Sequence, residues 1–236
     1  MTKKYKLTEK YIIHNGVKLF QIQALVSFGT VSSGYLGGYI EKEENLSQDG
    51  DAWVSDNAWV SDNAKVHGNA KVCGNAKVHD NAWVYGDAMV HGNANVHGNA
   101  LVCGDAKVSG NAWVYGNAWV CGNALISGNA WVYGDAMVHG NANVHGDALV
   151  CGDAWVYGID AIFWASHVGT ENGTLTVTSG KNGLVVTRGC FTGTKEEFLS
   201  YSAAKHNDKI QREYRLLIEV AESRIGQYGA DCYAVL

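Results

Sequence analysis

The sequence predicts a mainly β chain, wound as a parallel coil with three short edges per turn. Three observations lead there. An aliphatic residue falls at every sixth position from Val54 to Val156, with Ile126 the only departure from Val, which makes 18 consecutive hexads. All but the last read V-x-G/D-N/D-A-x, with Ile for Val at 126, as in VHGNAK and VYGDAM. The composition has 29 Gly, no Pro and only 17% charged residues, unlike a helical globular enzyme.

A period of six matches neither a helix nor a long strand. It matches a short strand and a tight corner, repeated. In W-V-Y or K-V-C the Val points to one side and its neighbours to the other, because strand side chains alternate. Gly-Asn and Gly-Asp supply the corner, since both tolerate left-handed backbone angles. Ala, four places after each aliphatic residue up to Val150, is small enough to fill the corner's inside. Three hexads close a coil of 18 residues. Six coils stacked at ~4.8 Å give a prism roughly 29 Å long. Val and Ala then form ladders inside, and stability is a sum of terms between neighbouring coils.

These hexads resemble the left-handed parallel β-helix of hexapeptide-repeat proteins, over nearly half the chain. The resemblance implies a left-handed coil of about six to seven turns over residues 31–158 and a parallel homotrimer, the usual assembly of such proteins. It expects a small β cap over residues 1–30 and an α/β domain of a β-hairpin plus two helices over 159–236.

Residues flanking each Val face outward, and sorting them by coil gives three faces. The first is mixed and mostly polar, with Trp53, Lys71, Cys73, His91, Lys107, Ser109 and His145 among its members. The second begins with Lys77, His79, Asn95 and His97. It becomes apolar with Trp113, Tyr115, Trp131, Tyr133, Leu149 and Cys151. The third carries Trp83, Tyr85, Leu101, Cys103, Trp119, Cys121, Met137, Trp155 and Tyr157. A lone chain would expose more apolar surface here than a soluble monomer tolerates. The expected occupant is a second and third copy, since closed symmetry is the commonest way to bury such a face. An aromatic surface for a different partner is the alternative. Residues 81–106 and 129–154 are identical except for Asn99 against Asp147. The offset is not a whole number of coils, so the copy lands on another face. Many outward side chains are therefore interchangeable, which favours a scaffold over a shaped catalytic face.

At the N-terminus, YIIHNGVKLFQIQAL alternates around an Asn15-Gly16 turn, a hairpin signal. Ile40 and Leu46 are six apart, so irregular coils begin near Val31. After Val156 the period breaks. AIFWASHVG, TLTVTSG and GLVVTRGCF read as strands with a turn at Lys181-Asn182-Gly183. Thr194 and Glu197 form a capping box that opens a helix. A second helix runs from Asp208 to Arg224, apolar along Ile210, Tyr214, Leu217, Ile218 and Ala221, and stops at Gly226. The segments FGTVSSGYLGGYIEKEENLSQDGDAWV and GCFTGTKEEF are similar to the ends of phage and prophage hexapeptide-repeat proteins. That resemblance implies a phage origin and expression in the bacterial cytoplasm, and no particular reaction.

Several chemistries are weighed against plainer readings. Hexapeptide-helix acyltransferases resemble this chain in the coil. They interrupt it with a loop, and here the hexads run without insertion. His67, His79, His91, His97, His139 and His145 share one outward slot with Ser, Cys and Tyr, which reads as a substitution class. His79 and His97 stack about 5 Å apart on adjacent coils. A zinc site needs a third ligand, and the sequence pattern shows none. Cys103 and Cys121 lie within disulfide reach, with reduced thiols as the expected state in a cytosol. Cys73, Cys151, Cys190 and Cys232 show no metal spacing. A pairing of Cys190 with His167 or His206 has nothing local to support it. Ice binding is excluded, because no Thr occurs between residues 31 and 169.

No apolar run approaches the ~18 residues of a membrane span, and the first residues lack a signal-type apolar core. A net charge of -5 leaves no basic footprint for a nucleic-acid polymer. The expectation is a non-enzymatic trimeric scaffold with no cofactor, metal or catalytic residue. Its partners are further copies and a host protein or small signalling nucleotide that it sequesters in counter-defence. A virion or fibre component and an acyltransferase are the alternatives. The partner surface is expected on Trp83, Tyr85, Leu101, Trp119, Met137, Trp155 and Tyr157, and on Trp113, Tyr115, Trp131 and Tyr133.

Overall fold

The computed structural model describes residues 3–225. The stop at Gly226 and Cys232 lie outside them. An antiparallel hairpin comes first, β1 (Tyr5–His14) and β2 (Val17–Ala24), followed by β3 (Leu36–Ile40). Eighteen short strands follow, from β4 (Trp53–Val54) to β21 (Trp155–Tyr157). The chain ends in β22 (Ile162–Val168), β23 (Gly173–Gly180), β24 (Gly183–Arg188), β25 (Phe191–Thr194), α1 (Lys195–Lys205) and α2 (Asp208–Arg224). The short strands form three parallel sheets in which each strand pairs with the strand one coil on, as Val102 pairs with Val120. This is a parallel β-solenoid of six regular coils preceded by an irregular one.

The hexad explains the coil. Every Val and Ala of the repeat is buried to 1% exposure or less, so the lumen is an aliphatic ladder. The corner residue sits at positive φ, for example +68° at Gly110, where an added Cβ would lie 2.8 Å from Gly128 backbone atoms. The corner carbonyls accept backbone N–H groups from the coil before, as Gly128 accepts from Asn111 at 2.7 Å. Outside the corners the Asn side chains form a second ladder. Asn63, Asn81, Asn99 and Asn117 each donate to the next residue in line, ending on Asp135.

That ladder accounts for the one difference between the duplicated segments. Asn99 accepts from Asn81 and donates to Asn117. Asp147 only accepts, from Asn129. A carboxylate accepts but cannot donate. Asn99→Asp is therefore expected to cost about 1 kcal/mol by breaking one rung. Asp147→Asn is expected to leave stability unchanged. Denaturant melts of both variants check this, and equal losses would contradict it.

The N-terminal cap is not a separate element over residues 1–30. Its hairpin continues through β3 into the sheet that forms the second face. Gly37 and Gly38 permit this, since a Cβ at either would come within 2.6 Å of the Val54 or Ala58 carbonyl. The cap is fastened by Lys4, whose ammonium donates to the Gly50 and Ala52 carbonyls at 3.1 and 3.0 Å. Burial pulls its pKa down to about 8, against the charges of Asp51 and Asp49. Tyr5 and Phe28 pack edge-on against Trp53, which the cap buries to 4% exposure. Trp53 and Trp59 thus stand on the outside of the coil but are buried, Trp59 beneath His14 of the hairpin.

The C-terminal region also exceeds the expected hairpin. It is a four-stranded antiparallel sheet, β22-β23-β24-β25, because the chain before the hairpin and the short run after it both pair onto it. Strand β23 closes the last coil: Thr176 accepts the Leu149 N–H at 3.0 Å, and Ser179 donates to the Trp155 carbonyl. Open strand edges at that end are thereby covered. The capping box at Thr194 and Glu197 is formed, and α2 spans Asp208–Arg224 with Ile210, Tyr214, Ile218 and Ala221 buried. No helix among the described residues is long and apolar enough to cross a membrane.

Candidate interaction surface

Stacking at the coil repeat turns outward rings into columns. On the second face His14, Trp59, His79, His97, Tyr115 and Tyr133 stand in one column, with ring centroids 4.6, 5.5, 4.8, 5.0 and 4.9 Å apart in turn. The His97, Tyr115 and Tyr133 rings are parallel to within 4°. Beside them Trp113 and Trp131 stack at 5.6 Å. The column ends at Cys151, buried against Thr187 and Thr192 of the C-terminal sheet. Burial, with Cys151 beside it, raises the Tyr133 phenol above its usual range.

The third face follows the same rule. His67 stacks on Tyr85 at 5.1 Å, Lys65 lies over Trp83 at 5.1 Å, and His139 meets Tyr157 at 4.6 Å. Between them Leu101 pairs with Trp119 and Trp119 with Met137. Cys103 and Cys121 are bridged as a disulfide, with Cα atoms 4.7 Å apart. That corrects the expectation of reduced thiols: in-register parallel pairing brings the two residues within bridging range.

The predicted surface residues fall into two classes. Trp83, Trp113, Trp119, Trp131 and Tyr157 are 38–45% exposed in the single chain. Tyr85, Leu101, Tyr115, Tyr133, Met137 and Trp155 are half-buried among their neighbours. The structure brings all of them onto two adjacent faces, as the sorting by coil required. Sequence reasoning stacked His79 on His97 but missed that this pair continues onto Trp59 and Tyr115, so the row is longer than the Trp and Tyr positions alone suggest. It also missed Asp80. The repeat carries a signal for it: the corner residue is Gly in most coils and Asp at 80, with φ +59°.

Two of the column histidines make the surface pH-sensitive. Burial pulls His67 and His139 below the ordinary histidine value, with Lys65 adding to the effect at His67. A lowered pKa means the folded chain prefers the neutral ring. The stability this carries is complete above about pH 6.5 and is lost as pH falls through the folded values. Thermal midpoints are expected to decline below about pH 6.5. The decline should be smaller in His67→Ser/His139→Ser, since Ser occupies the same slot at Ser109 and Ser127. An equal decline in both proteins would contradict the assignment.

With this geometry in place, one comparison bears on the fold. Residues 106–122 and 118–134 match the YdcK β-solenoid repeat family. The match covers two overlapping stretches of the regular coils, and it supports a β-solenoid repeat architecture. No curated protein matches the chain.

Proposed function

We propose that the chain is a non-catalytic scaffold that assembles into a parallel homotrimer and binds through its aromatic faces. The observation that carries this reading is the pair of aromatic columns on adjacent faces, with five large rings more than a third exposed in the single chain. Rigid, evenly spaced rings suit either a second copy or a flat ligand, because aromatic pairs gain beyond their buried area. The unbroken coils favour this reading over acyl transfer: eighteen rungs pass with no inserted lid or gripping loop. The open cavity of about 500 Å³ on the first face is lined by His91, Lys107, Ser109 and His145 without a shielded base.

The finer reading follows from the resemblance of the chain ends. The trimer is a phage-encoded cytoplasmic protein that captures a host protein or a small signalling nucleotide. Native mass spectrometry of the protein isolated from bacterial cells tests the proposal. A trimer carrying a defined extra mass is the expected result. A bare monomer would contradict it, as would acyl-CoA turnover that one His→Ala change abolishes.

A further inference from the structure

A cluster beneath the N-terminal hairpin stands apart from the aromatic surface in its chemistry. Asp80 occupies a corner of the second face and reaches back between two stacked imidazoles. His79 Nδ1 lies 3.3 Å from Asp80 Oδ1, and His97 Nδ1 lies 3.5 Å from Asp80 Oδ2. One ligand atom from each residue can be chosen so that all three lie within 4.8 Å of one another. Asp80 Oδ2 also accepts the Gly98 N–H at 3.0 Å, which fixes the carboxylate's orientation. His79 Nε2 sits 3.1 Å from Asn95 Oδ1. The site opens to a cavity of about 350 Å³ shared with His14, Asn15 and Trp59.

We propose that His79, Asp80 and His97 form a binding site for a divalent first-row transition metal, zinc above all, through both Nδ1 atoms and the Asp80 carboxylate. The geometry supports it. The tautomer that gives Nε2–H to Asn95 Oδ1 turns the Nδ1 lone pair toward the Asp80 carboxylate, and two acceptors 3.3 Å apart accommodate a cation between them. The separations suit a metal. Ligand atoms around tetrahedral zinc stand roughly 3.3–3.6 Å apart, given bonds of ~2.0–2.2 Å. Both Nδ1–carboxylate distances fall in that range, and both are long for a charge-assisted hydrogen bond.

His97 Nε2 is buried without a hydrogen-bond partner, and Nδ1 is the ring nitrogen that faces Asp80. Imidazole and carboxylate donors fit zinc, cobalt or nickel better than magnesium or calcium. Three protein ligands leave a coordination position open to the cavity, the arrangement of a zinc that keeps a water or exchangeable ligand.

Asp80→Gly is the informative variant, because it restores the Gly found in most other corners and removes the strain of Asp at φ +59°. Tag-free protein is stripped with chelator and titrated with Co²⁺ and Zn²⁺. One metal per chain is expected, with a visible Co²⁺ spectrum that Zn²⁺ displaces. Asp80→Gly and His97→Ser are expected to weaken binding at least roughly tenfold. In chelator, Asp80→Gly melts no lower than the parent. Absence of stoichiometric binding would overturn the proposal, and so would equal affinity in Asp80→Gly.

Discussion

A chain carrying Val120→Asp is expected not to form an intact solenoid. Val120 is fully buried and sits in register between Val102 and Val138 in the lumen. The substitution forfeits about 1.5–3 kcal/mol of side-chain burial. It also places a carboxylate among Val and Ala side chains that offer no donor, at a cost of several kcal/mol. The sum is comparable to the whole stability of a typical domain, about 5–15 kcal/mol. Because coils stabilise one another only through neighbours, the damage separates the coils on either side. Circular dichroism and a thermal melt check it. A cooperative melt within a few degrees of the parent would contradict the lumen assignment.

One residue earlier the expected result reverses. Trp119→Asp keeps the fold and dissociates the assembly. Trp119 is 45% exposed in the single chain, so an Asp there reaches water. In the proposed trimer the same carboxylate would be held against an apolar contact. Each buried, unpaired charge costs several kcal/mol, repeated in every copy by symmetry. The expected readout is an unchanged circular dichroism spectrum with a mass that falls from trimer to monomer. An unchanged assembly would remove the third face from the contact and leave Trp113 and Trp131 of the second face as the candidate.

The regular part of the fold is legible because each repeat residue has one physical job. The six-residue spacing of Val, the Ala after it and the Gly or Asp at the corner together determine which side chains meet one coil on. Sorting outward residues by coil thus anticipated the stacking of Trp113 on Trp131 and of Tyr115 on Tyr133. The chain ends were only half legible. Local signals located α2 and the Thr194 cap, since both depend on nearby residues. The burial of Trp53 and Trp59 was not legible, because it depends on where the hairpin lands. Nor was the fourth strand, Phe191–Thr194, which is too short to carry a pattern of its own.

The metal cluster was half visible. The histidine pair follows from the spacing of 79 and 97. Its third member was hidden because Asp at a corner reads as a turn residue, as at Asp56 and Asp62. Like those carboxylates it meets the next coil's backbone, and among the described corner Asp residues it alone also meets two imidazoles. The disulfide was legible as a distance, and its state was misjudged from compartment.

The central claim is that copies of the chain cover the exposed aromatic faces. Sedimentation velocity of the full, untagged chain over a wide concentration range tests it most directly. The account predicts one species at three times the 25.4 kDa chain mass. A single species at 25.4 kDa at every concentration would contradict it.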